Sequence, residues 1–143
     1  MELEAKIYKD GKFWLVEVPS LDTMTQGKTR KEALSMTKSL VRQMIISYFK
    51  DEDIANFRIT LSDYGKDVIG ITANDTKLLL ALSLRRQRET SGSTIKEAAE
   101  RLGSKYPNSY AQYEKGETSI SIEKFEHFLI AANPKGERKL RLV

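Results

Sequence analysis

The sequence predicts an α+β amino-terminal domain followed by an all-α carboxyl-terminal domain. Three observations carry that division. Apolar residues alternate with a period of two near the start of the chain, then recur every three or four residues. Capping signals for helices stand at Thr29 and Thr94. The charge is also unevenly placed. Residues 1–75 hold 11 Lys/Arg and 12 Asp/Glu, whereas residues 76–143 hold 13 and 8. The net charge of +4 therefore resides in the second half, and such an imbalance points to two modules, one of them facing a polyanion. The boundary is placed after residue 73, giving modules 1–73 and 74–143.

Within residues 3–18, Ala5 and Ile7, then either Phe13 and Leu15 or Trp14, Val16 and Val18, alternate as strand residues do. Lys9-Asp10-Gly11-Lys12 between them offers the positive φ angles of a hairpin turn. Pro19 has no amide to donate and ends the second strand. Thr23–Gln26 forms a short third strand before Gly27. Thr29-Arg30-Lys31-Glu32 is a capping box. It opens a helix through Ala33, Met36 or Thr37, Leu40, Val41, Met44, Ile45 and Tyr48, ended by polar residues 50–53. Phe57–Leu61 and Val68–Thr72 are two more strands, turned around Tyr64-Gly65. The first module is thus β-β-β-α-β-β.

No strand is expected in the second module. Asn74 or Asp75 caps a helix from Thr76 to Thr90, and Ser91-Gly92-Ser93 breaks it. Thr94-Ile95-Lys96-Glu97 is a second capping box, for a short helix closed by Gly103 in the left-handed conformation. A third helix spans Asn108–Lys115 before Gly116. Ser121 caps the last, which carries Ile122, Phe125, Phe128, Leu129 and Ala132 and stops before Pro134.

The third helix has two chemically distinct sides. Tyr110 and Tyr113 share an inner face with Tyr106 one turn earlier. Asn108, Ser109 and Gln112 fall on the other side. Asn and Gln can bond adenine bidentately, and Ser is a less selective donor and acceptor, so these three are the candidate base readers. Thr94, Lys105 and Lys115 are the candidate phosphate contacts. Four short helices on tight turns fit a helix-turn-helix module.

Leu84–Asn133 resembles the Xre/Cro family of DNA-binding domains through Arg88 before the Gly92 turn, Ala99, Leu102-Gly103 and Glu114-Lys115-Gly116. The resemblance implies that the third helix enters the major groove and that Glu114 pairs structurally with Arg88. The turn Lys105-Tyr106-Pro107 is one residue longer than the family pattern. Residues 3–72 resemble the HicB antitoxin domain. The marks are Tyr8 to Leu21, ending Pro-x-Leu, and Thr25-Gln26-Gly27-Lys28-Thr29-Arg30-Lys31-Glu32-Ala33. That resemblance implies a degenerate ribonuclease H-like fold and binding of a HicA-type toxin, an mRNA-cleaving enzyme. It also implies repression of the chain's own operon through double-stranded operator DNA. Asp22-Thr23-Met24 departs from the family's usual loop.

The expected function is therefore a cytoplasmic antitoxin and autorepressor, a homodimer or higher homo-oligomer. Glu17, Asp22, Asp63 and Asp67 are the candidate contacts to a basic toxin. Two alternatives stand beside it: a solitary regulator whose front domain dimerises or senses a ligand, and a metal-dependent ribonuclease. The carboxylates lack the spacing of a two-metal site. His127, the only histidine, has no partner for a metal, and there is no cysteine. No enzyme activity, metal or other cofactor is expected. The amino terminus lacks the apolar run of a signal peptide, and Leu78–Leu82 is too short to span a bilayer. The basic tail 135–143 is assigned to the second module with no role fixed for it.

Overall fold

The computed structural model describes residues 1–49, 54–103, 107–136 and 140–141. The chain divides into two units, Met1–Asp75 with Lys139–Val143, and Thr76–Arg138.

The first unit is an antiparallel sheet covered on one face by a helix. β1 (Glu2–Asp10) and β2 (Phe13–Val18) form the expected hairpin, with Gly11 at φ 60°. Pro19–Leu21 makes one 3-10 turn, after which β3 (Thr23–Gly27) pairs with β2. α1 (Arg30–Tyr48) follows. The Thr29 hydroxyl accepts the Glu32 amide at 3.0 Å, and the Glu32 carboxylate reaches back to the Lys28 amide. β4 (Ile59–Asp63) and β5 (Val68–Ala73) close the sheet in the order β3-β2-β1-β5-β4. β4 begins two residues later than the sequence predicts and runs on to Asp63.

Register explains which side is buried. Ile7 lies opposite Val16, and Ala5 opposite Ile69. These residues are closed from solvent with Leu3, Val18 and Ile71 beneath Ala33, Thr37, Val41 and Ile45 of α1. At the ambiguous helix position Thr37 is the buried residue and Met36 is exposed. Thr37 turns inward without cost because its hydroxyl donates to the Ala33 carbonyl at 2.8 Å. On the opposite face Tyr8 faces Leu15, and Lys6 faces Glu17.

The tail corrects the sequence reading. Leu140–Arg141 forms β6 and pairs antiparallel with Glu2 and Leu3 of β1. It belongs to the first unit, not the second, and it is a strand where none was expected. The polar segment 50–53 lies outside the described residues.

The second unit consists of α2 (Thr76–Ser91), α3 (Ile95–Arg101), α4 (Pro107–Glu114) and α5 (Ile122–Ala132). Leu79, Leu82, Leu84, Ala98, Ala99, Tyr110 and Phe125 are its closed core. Ile122, counted as a core residue from its spacing, is instead exposed. Asn74 does not act as a simple helix cap. Its side-chain oxygen accepts the amides of Arg58 and Asp75, and its amide group donates to the Asn56 carbonyl. Gly116 ends α4 at φ 73°, and a Cβ there would meet Leu78 Cδ2 at 2.7 Å. Both the backbone angle and the close approach to α2 require glycine.

Candidate nucleic-acid interface

α3 and α4 are held by interactions that the helix ends themselves demand. Thr94 and Glu97 form the complete capping box at the start of α3. At the end of α5, otherwise unpaired carbonyls are met by side chains. Arg101 Nη1 donates to Ala131 at 2.9 Å, and Ser91 Oγ donates to Ala132 at 2.7 Å. Arg101 also donates to Ser93 Oγ, so the α2–α3 turn, α3 and α5 are tied at one point.

α4 is anchored by its rings and one carboxylate. Tyr110 is fully buried, with its ring 5.5 Å from that of Phe128. Tyr113 is half-buried and meets Phe128 edge-on at 5.1 Å. Arg88 Nε donates to Glu114 at 2.8 Å, and Arg88 Nη1 donates to the Ser93 carbonyl at 3.0 Å. The end of α4 is therefore bound to α2 through a charged pair that is nearly closed from water. Burial raises the Glu114 carboxyl above the usual carboxylate range, against the pull of Arg88.

The other side of α4 is open. Gln112 and Lys115 are exposed and Ser109 is half-exposed. Asn108 lies on α4, but its side chain is outside the described residues, as is Lys105. Tyr106 of the inner-face expectation lies outside them too.

Thr94 needs correction as a phosphate contact. Its amide and its hydroxyl both bond to Glu97, at 3.2 and 3.1 Å, which holds that carboxyl below its ordinary range. A phosphate at this position would have to displace a carboxylate. Lys124 was not singled out from the sequence. Its Nζ donates to the Tyr113 hydroxyl at 3.1 Å and lies over that ring, and it shares a hollow of about 520 Å³ with Ser109, Ser121 and His127. No local signal marked it: a cation in the first turn after the Ser121 cap opposes the helix dipole, and its partner Tyr113 lies on another helix.

Residues 84–126 match the family model for the helix-turn-helix, of Xre/Cro type. The second unit is a helix-turn-helix domain. Its presence marks the chain as a DNA-binding transcription regulator. No curated protein and no solved structure matches the chain. Among the described residues no helix is long and apolar enough to cross a membrane, and no group of three or more acidic or histidine side chains is placed to hold a metal ion.

The four carboxylates expected to meet a toxin do not converge. Glu17 projects from the open face of the sheet and accepts the Tyr8 hydroxyl at 2.6 Å. Asp22 ends the 3-10 turn between β2 and β3 at φ 47°. Asp63 ends β4 and pairs with Arg30 at 2.6 Å, and Asp67 lies in the following turn. β2 and β5 both run antiparallel to β1. The end of β2 and the start of β5 both lie beside Lys6 of β1, but β3 and β4 are the opposite edges of the sheet, which separates Asp22, at the entry to β3, from Asp63, at the end of β4. Arg30 holds the Asp63 carboxyl below its usual range, with help from the Gly65 amide.

One consequence for the helix-turn-helix core is measurable. Among the described residues the Tyr110 hydroxyl has no hydrogen-bond partner although it is buried. Burial and the Glu114 charge push that phenol upward, against the nearby Arg88 guanidinium, which lies outside hydrogen-bond geometry with it. Tyr110→Phe should therefore be neutral or stabilising, by up to about 1 kcal/mol, because it removes an unpaired polar group. Thermal unfolding measures this. A loss greater than about 1 kcal/mol would instead mean that the hydroxyl has a partner.

Proposed function

We propose that this regulator is the antitoxin of a type II toxin–antitoxin system. On this reading its first unit sequesters a HicA-type, mRNA-cleaving toxin, and its helix-turn-helix domain represses its own operon. The observation that carries the reading is the joining of a helix-turn-helix domain to a unit with the order β-β-β-α-β-β. The residues of the HicB resemblance stand at its structural joints: Pro19 ends β2 and Thr29 caps α1. The open face of the sheet suits a basic partner better than the four scattered carboxylates do. Asp10 and Glu17 share that face with the exposed Phe13 and Met24. Acidic groups around apolar contact area complement a cationic protein surface.

The operator is read by α4, with Gln112, Ser109 and Asn108 toward the base edges and Lys115 and Lys105 toward phosphates. Gln112→Ala should lower discrimination between operator and unrelated duplex by about 1–3 kcal/mol. Lys115→Ala should weaken both alike and flatten the salt dependence by roughly one phosphate. Competition binding at two salt concentrations measures both. Unchanged discrimination in Gln112→Ala would remove α4 as the reading helix. The toxin reading is tested by co-expression with any small basic protein encoded beside this chain. Co-purification is the expected result, lost on Phe13→Glu. Absence of any complex would leave a solitary regulator.

A further inference from the structure

We propose that the first unit binds a phosphate-bearing ligand of about nucleotide size in a basic hollow between α1 and the start of β4. The hollow measures about 380 Å³ and is lined by Lys38, Ser39, Arg42, Phe57, Arg58 and Ile59. That volume falls within the range of small-molecule sites.

Its charge is one-sided. Lys38 and Arg42 are one helical turn apart on α1 and so project together. Arg58 approaches from the strand side. Among the described residues that line it, none is acidic. Arg42 Nη1 donates to the Phe57 carbonyl at 2.8 Å, which fixes one edge of the guanidinium at the rim. Lys38 and Arg58 are exposed. Three cations around one concavity focus a positive potential there. Guanidinium groups can hold phosphate oxygens bidentately, with Lys38 as a point charge. Ile59, half-buried, supplies apolar surface for a base or similar ring, backed by the buried Phe57. The hollow is local in origin: residues 1–75 are net −1, yet α1 alone carries four cations and one carboxylate. The inference depends neither on the antitoxin reading nor on operator binding.

The test is an NMR titration of the ¹⁵N-labelled full chain with AMP, adenosine and sulfate at constant ionic strength. AMP should shift the amides of Lys38, Ser39, Arg42 and Arg58 saturably, with a Kd below about 1 mM. Adenosine should leave them in place. The double variant Lys38→Ala/Arg58→Ala should weaken AMP at least about tenfold, the loss of one charge-assisted contact or more. Both residues are exposed, so the fold should persist, which the unaffected amides verify. Gln112→Ala should leave AMP binding unchanged. Three results would overturn the proposal: shifts that never saturate, sulfate binding as tightly as AMP, or shifts confined to α3 and α4.

Discussion

Arg88→Met should lower the stability of the helix-turn-helix domain by about 3 kcal/mol, the lower end for breaking a buried ion pair. For a domain of this size that corresponds to a fall of roughly 15 °C in its melting temperature. The cause is the carboxylate left behind more than the bond removed. Glu114 is 4% exposed, and Arg88 Nε lies 2.8 Å from it. Methionine fills much of the arginine's volume but supplies no charge, so Glu114 must either stay ionised in a dry site or take up a proton. The double variant Arg88→Met/Glu114→Leu should recover most of the loss, since apolar replacement of both partners is often neutral.

The pH dependence has a definite sign. Burial sets the folded pKa of Glu114 above its unfolded value of about 4.3. The group's contribution is therefore fully present below that value and declines as pH rises through the folded pKa. Arg88 is what limits the rise, and removing it moves the folded pKa further up. The difference between parent and Arg88→Met should be largest at pH 7–8 and shrink toward pH 5, where a protonated Glu114 needs no cation. Thermal unfolding across that range measures it. A difference constant from pH 8 to pH 5 would show that Glu114 is not the stranded charge.

Local chemistry made much of this arrangement legible in the sequence. The period-two runs became β1 and β2, the Thr29 cap and the Thr94 capping box opened α1 and α3, and the glycine after Glu114 ended α4, because each signal acts within a few residues. What stayed hidden acts across the chain. Leu140–Arg141 has no periodicity of its own and is a strand only because β1 has unpaired backbone beside Glu2 and Leu3. Asp63 reads from the sequence as a candidate toxin contact because nothing near it names Arg30, 33 positions earlier, as its partner. At the candidate interface, helical spacing sorted the tyrosines from Gln112. It could not show that Glu97 already occupies the Thr94 amide, or that Lys124 lies against Tyr113. The basic hollow was masked by averaging: a near-neutral count conceals a helix whose cations lie on one side.

Gly27→Ala should uncouple the two units' stabilities. Gly27 lies where β3 passes the first turn of α1. A Cβ there would come 2.5 Å from the Ala33 nitrogen and 2.8 Å from the Glu32 carbonyl carbon. Both obstacles are backbone, and neither can rotate away as a side chain would. The Ala33 amide also makes the helix's first internal bond, to the Thr29 carbonyl at 3.0 Å, so the added methyl would press on the bond that starts α1. Overpacking of this kind costs about 2 kcal/mol. At ~1 kcal/mol/M for a unit of this size, the urea midpoint should fall by about 2 M. The readout is built in, because Trp14 is the only tryptophan and pairs with Gly27 in the β2–β3 register. Its fluorescence should report the earlier transition. The helical signal of the helix-turn-helix domain and its affinity for operator should hold at urea concentrations that unfold the first unit. Under the proposed antitoxin function, capture of a toxin by the first unit would then be lost while operator binding remains. If operator affinity falls together with the Trp14 transition, the first unit is required for DNA binding itself, and its sheet serves assembly on the operator as well as any partner.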